Sequence, residues 1–317
     1  MLHRSVSFSR TSEGFTLIEL SVVLVIIGLI VGGVLVGQNL IAASEVRATI
    51  TQIEKYNTAA NTFRGKFGYL PSDINPTAAA QFGFAARGSY AGEGDGNGII
   101  EGISTNASGN NNGVAAASGE AAMFWVDLSS AAAGNLIDGG FNTATATTTC
   151  NTNGCIPGTA IGNYFPVAKL GRGNYIYVWS GGYGMPGVGS NGINYFGLSA
   201  VSSTNSTQPV SSADIPVSMA YAIDKKVDDG YPQSGNVMAM YVNQAAPPPT
   251  SSIGWAAGGG NSGTYGAGPL YGPSTAATQG TSTTCYDNGN ANGATQNYSV
   301  EINSGAGANC ALSFKFQ

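Results

Sequence analysis

Charge is scarce in this chain. Only 9% of its 317 residues are Asp, Glu, Lys or Arg, and the net charge is −5. The few cations are scattered, so no run of them can neutralise a string of phosphates, and a nucleic-acid partner is disfavoured. Histidine is almost missing. The one copy, His3, precedes a long apolar run. No histidine remains beyond it to serve as base in a Ser-His or Cys-His scheme, or to complete a zinc site. No glycines fall in the G-x-x-x-x-G-K-S/T order that cradles phosphate. Paired carboxylates are the acid–base chemistry left open. Apolar residues are not scarce: they make up 43% of the chain, which is not the composition of disorder.

The apolar residues concentrate near the start. Residues 15–44 carry one charge, Glu19, and none after it. About 20 apolar residues in a helix suffice to span a bilayer. A carboxylate near one end of such a helix is costly unless paired. The step Gly14-Phe15 comes before the run, whereas a secretory signal is cut after its apolar segment. Cutting after Gly14 would leave the helix on the mature protein.

The stretch Gly14-Phe15-Thr16-Leu17-Ile18-Glu19-Leu20, followed by the apolar run, resembles the N-terminal motif of the type IV pilins and type II secretion pseudopilins. The resemblance implies cleavage after Gly14 by a membrane prepilin peptidase and methylation of the new terminus at Phe15. It also implies that Glu19 pairs with the terminal amine of a neighbouring subunit. In lipid an unpaired carboxylate and an unpaired ammonium are both expensive, and side-by-side helices satisfy both. Arg4 and Arg10 should stay cytoplasmic. That places the protein in the inner membrane as a single-pass subunit, then in the periplasm or in a cell-surface filament after assembly. Removing residues 1–14 takes away Arg4, Arg10 and Glu13, leaving 10 basic and 16 acidic groups. Gly28, Gly32, Gly33 and Gly37 are spaced to permit close helix approach. Many family members carry proline where this chain has Val36, so whether the helix melts there stays open.

Three segments follow: a leader at 1–14, a transmembrane and spine helix at 15–66, and an extracytoplasmic head at 67–317. The expected fold class is α+β, a long N-terminal helix whose first half is transmembrane and whose second half packs on an antiparallel β-sheet head with long loops. Val46, Ile50, Ile53, Tyr56, Ala60, Phe63 and Phe67 follow helical spacing and predict the spine's buried face. Gly65, Gly68 and Pro71 end it. Residues 66–73 resemble the tyrosine-leucine-proline step that leaves the helix in pseudopilin-like proteins. Residues 76–113 read as loop. Residues 120–133 predict a short helix with Met123, Phe124, Leu128 and Ala131 on its apolar face, stopped by Gly134. Strands are expected over 175–179, 193–198, 236–242, 298–302 and 311–316. A helix is expected over 214–224, with Asp214 as its cap and Pro216 in its first turn.

Four cysteines in a translocated head favour disulfides, and three pairings are possible. The pairs Cys150–Cys155 and Cys285–Cys310 are favoured. The second would close a long Gly/Asn-rich loop, where chain entropy gives most. It also resembles the C-terminal disulfide loop of many pilins. The segment Glu93-Gly-Asp95-Gly-Asn97-Gly98 puts oxygen side chains at alternate positions, like the start of an EF-hand loop. Its closing Glu is replaced by Ser104, though Glu101 offers a carboxylate, so Glu93, Asp95, Asn97 and Glu101 are a candidate calcium set. The competing reading is a glycine-rich turn with a tight hairpin at Asn97-Gly98. Asp224, Asp228 and Asp229 form a second acidic group, with two readings: a metal site, or, favoured by Lys225 and Lys226 beside them, a helix end and turn. Buried packing is the default for Trp179 and Trp255. The function implied is a structural subunit of an envelope filament. A minor or tip subunit with a ligand-binding head is the alternative. A membrane-anchored enzyme is disfavoured by the lack of a catalytic set.

Overall fold

A computed structural model describes residues 14–87, 94–100, 117, 119–141, 160–180, 193–205, 208–242, 253–255, 284–287 and 296–316. The chain divides into two units, Met1–Ser44 and Glu45–Gln317. Helix α1, Leu17–Phe67, supplies the described core of the first and opens the second.

In the first unit α1 is built mostly from Leu, Ile, Val and Gly, and none of the described residues covers it. Its large apolar side chains from Leu17 to Ile41 are 47–87% exposed. This part is long and apolar enough to cross a membrane. The backbone stays helical through Val36 and its flanking glycines.

The second unit holds the folded core. Val46, Ile53, Tyr56, Ala60, Phe63 and Phe67 of α1 are buried there, and Ile50 is half-buried. Helical spacing places these residues on one face. Gly68 ends the helix in the left-handed region (φ 79°), its N–H donating to the Arg64 carbonyl at 2.8 Å. Helix α2, Pro76–Phe82, falls inside the stretch expected to be loop. Its signals are local: the Asn75 side chain caps the Ala78 N–H at 2.8 Å, Pro76 opens the first turn, and Gly83 closes it.

Helix α3, Gly119–Ser129, is buried from Gly119 through Leu128, not on one face as expected, and Ala131 is exposed. It is enclosed because its rings meet two elements. Trp125 packs edge-on against Tyr56 of α1 at 4.9 Å, and Phe124 lies 6.0 Å from Phe196 of the sheet.

The sheet is antiparallel. Strands β1 (Asn174–Ser180), β2 (Asn194–Asn205), β9 (Leu312–Lys315) and β4 (Val237–Met238) lie in that order. β3 (Gln208–Ser212) pairs with the far end of β2. Tyr177 of β1 sits opposite Gly197 of β2, and its ring occupies the space a side chain would need: a Cβ on Gly197 would lie 2.2 Å from it. The Tyr177 hydroxyl accepts from the Val242 N–H at 2.9 Å. Trp179 is buried, stacked on Tyr195 at 4.7 Å, with its indole N–H on Ser313 Oγ at 3.2 Å.

Several expected elements shift. The run 236–242 breaks at Ala239 into β4 and β5 (Met240–Val242), and β5 pairs with β6 (Ile253–Trp255). The Ala239 N–H donates instead to the Pro232 carbonyl. Helix α4 spans Val217–Val227 rather than 214–224, with Pro216 at its cap position and no side-chain cap. Asp214 lies too early, because Ile215 is held in a bridge to Cys310. Of the stretch 298–302 only Tyr298 lies in a strand. β8 (Asn297–Tyr298) pairs with β7 (Tyr286–Asp287), and the chain then turns into a 3₁₀ segment, Ile302–Gly305.

Candidate functional site

The first site is the start of α1. Gly14 and Phe15 are exposed, and the helix opens at Leu17. Thr16 and Glu19 form a reciprocal capping box. Glu19 Oε2 accepts from the Thr16 N–H and from Thr16 Oγ1, both at 2.8 Å. The Glu19 N–H donates back to Thr16 Oγ1 at 3.3 Å. Two orphan donors of the first turn are thereby satisfied. The carboxylate is solvated by its own chain, and among the described residues Oε1 takes no hydrogen bond. The pairing has a local signal, the Thr16-x-x-Glu19 spacing of a capping box.

Residues 9–35 match the prokaryotic N-terminal methylation motif. The chain carries the type IV pilin and pseudopilin signature. No curated protein and no solved structure matches the chain. The match spans Gly14-Phe15, the carboxylate at Glu19 and most of the exposed part of α1. It does not reach the head, whose chemistry has to be read from geometry.

The second site lies in the head, around the glycine-rich loop. Of the candidate calcium residues, Glu93 and Glu101 lie outside the described residues. Asp95 and Asn97 turn onto their own loop. Asp95 accepts from the Asn97 N–H at 2.9 Å and its Nδ2 at 3.0 Å, and Asn97 Oδ1 accepts from the Ile99 N–H at 2.7 Å. The carboxylates that approach Asp95 come from elsewhere in the chain: Asp73 and Glu120 bring ligand oxygens within 4.8 Å of it and of each other. The loop's alternate glycines explain the grouping. Gly96 (φ 78°) and Gly98 (φ 86°) adopt a backbone that other residues rarely take, and this aims both N–H groups at Asp73, at 2.8 and 2.9 Å. The Gly94 N–H donates to Glu120 Oε1 at 2.7 Å. Burial pushes the Asp73 carboxyl up to about 6, against the pull of the Gly98 and Gly96 amides. Asn194 fixes the loop's far end through the Ile100 N–H and the Gly98 carbonyl.

Beside the cluster is a buried ion pair. Arg87 grips Asp127 of α3 through two bonds, at 3.0 and 2.8 Å, with both side chains almost fully buried. Asp127 also accepts from the Ser72 N–H at 2.6 Å, and Arg87 reaches the Ile74 carbonyl at 3.2 Å. The pair therefore ties the chain leaving the spine to α3. Its members are 40 residues apart, so no local spacing announces it.

The third group, Asp224, Asp228 and Asp229, closes the turn after α4. Asp224 is buried, accepts from the Tyr298 hydroxyl at 2.8 Å and the Gly230 N–H at 3.1 Å, and is pushed by burial up to about 7. Asp228 accepts from the Val237 N–H at 3.3 Å and also from the Asn236 N–H, and Asp229 from Tyr231 N–H at 2.8 Å and Ser234 Oγ at 2.6 Å. Cys285 and Cys310 are joined in a buried disulfide with Cα atoms 5.0 Å apart. Cys150 and Cys155 lie outside the described residues.

Proposed function

We propose that the chain is a structural subunit of a bacterial envelope filament, either a type IV pilus-like fibre or a type II secretion pseudopilus. Residues 1–14 are its leader, 15–66 its transmembrane and spine helix, and 67–317 its head. Prepilin peptidase cuts after Gly14 and the new terminus at Phe15 is methylated. The subunit waits in the inner membrane with its head outside the cytoplasm, then enters the filament. Its part is structural rather than catalytic.

One observation carries this reading: the methylation motif overlaps a helix whose apolar part is uncovered by the described residues and holds one carboxylate. A bare apolar helix of that length needs lipid or other helices around it. In lipid, the capping box keeps Glu19 hydrogen-bonded while Oε1 stays available to the ammonium of a neighbouring Phe15. Gly28 with Gly32, and Gly33 with Gly37, lie four apart and let helices approach closely.

The test is to shear filaments from cells and identify their subunits by mass. The expected subunit is this chain beginning at Phe15, and Gly14→Ala should leave the leader uncut and the filaments absent. Normal shortening of the Gly14→Ala chain would defeat the proposal.

A further inference from the structure

We propose that a groove beside residues 48–56 of α1 receives an acidic surface of a second copy of this chain, an inference that rests on the filament reading above. The groove encloses about 600 Å³ in the second unit. Its lining includes Lys55, Tyr56, Asp138, Phe141, Val167 and Lys169.

Three features define what fits. The first is charge. The sequence has six lysines, and two of them line this one groove. Lys169 is exposed and makes no ion pair among the described residues. Lys55 pairs with Asp138, whose side chain is 94% exposed, and ion pairs that open to water are weak and exchangeable. The protein as a whole is acidic, and becomes more so when the leader is removed. With Asp138 set against Lys55, the lining keeps one net positive charge, Lys169, on an acidic chain, and so complements an acidic surface of that chain. The second feature is apolar surface. Val167 is exposed inside the groove and Phe141 is half-buried, so the occupant also covers carbon. The third is rigidity. The buried Gln52 side chain donates to the Val167 carbonyl at 2.9 Å and accepts from the Lys169 N–H at 2.7 Å, which fixes this wall of the groove to the helix before anything docks.

The exposed acids Asp95, Asp229 and Glu301 lie outside the groove. An interface that joins the groove of one copy to a different surface of the next is heterologous, and such contacts propagate rather than close. That is the geometry a filament needs.

The experiment places a photo-crosslinking amino acid at Gly140 in the full chain in cells. A Cβ there meets nothing within 4 Å, so the probe should not disturb the fold. Illumination should give an adduct of two mature chains in the sheared filament fraction. Lys169→Glu should lower its yield several-fold, while Lys226→Glu, the same charge change outside the groove, should not. Filaments that form without the adduct, or with an adduct to a different protein, would overturn the groove proposal alone. Equal loss from both charge reversals would also overturn it. Absence of filaments from the parent chain would instead overturn the filament reading, and this inference with it.

Discussion

Residues 14–44 and the unit that begins at Glu45 share one helix and use it in opposite ways. In the first, every large apolar side chain stands open. In the second, Val46, Ile53, Tyr56, Phe63 and Phe67 are at most 9% exposed; Tyr56 meets Trp125 of α3 and Phe196 of the sheet, and Phe63 meets Phe84. Secondary structure is the same, so the difference lies in what solvates the helix. The head carries its own cover and gains the usual stabilisation from burying apolar area, about 1.5–3 kcal/mol for each large side chain. Among the described residues nothing covers the N-terminal part, which is long and apolar enough to cross a membrane. Its single carboxylate follows the same logic, since Thr16 meets part of its hydrogen-bonding need and a neighbour would meet the rest.

The contrast can be broken from either side. Glu19→Ala acts on the N-terminal part alone. Leader removal should be normal, and filament yield should fall about tenfold or more, as expected from losing a charged hydrogen bond of about 1.5–3 kcal/mol. Equal filament yields from mutant and parent would remove the pairing. Arg87→Met acts on the head alone. It leaves Asp127 buried without its cation, so unfolding of the full chain in detergent should move by about 3–5 kcal/mol while leader cleavage is unchanged.

A smaller effect should come from pH. Asp224, at about 7, and Asp73, at about 6, both lie above the ordinary value of 3.8, because burial disfavours their charged forms. The fold therefore favours the neutral acids. Their contribution is greatest below about pH 4 and is lost as pH rises through 6 to 7. The unfolding midpoint of the head should be higher at pH 5 than at pH 8, and Asp224→Asn should narrow the gap. An unchanged gap in that variant would remove Asp224 as the cause. The smallest effect concerns α2. Asn75→Ala deletes one cap and should cost about 1 kcal/mol, read from the same unfolding curves.

The parts of the molecule that were legible are those where chemistry repeats locally. The spine showed its buried face through 3.6-residue spacing, β1 through dense aromatic and β-branched residues, and β9 through alternation of apolar and polar residues. Helix α2 was also written locally, in Asn75-Pro76 and Gly83, but its alanine-rich interior hides any apolar face. Helix α3 defeated face-reading because packing on more than one side buries residues at every position. Tyr298 begins what looks like a strand, yet its hydroxyl is drawn to Asp224 and the following residues turn away. The acidic cluster joins residues 73, 95 and 120, and no one-dimensional spacing brings those together. The glycines of the loop were visible, but their purpose, to present amides to Asp73, was not.

The central claim is that the uncovered helix survives maturation. The most direct measurement is the intact mass and N-terminal sequence of the chain extracted from the membrane. The expected protein begins at a methylated Phe15 and retains all of α1. A mature form that begins beyond Ile41 would contradict it.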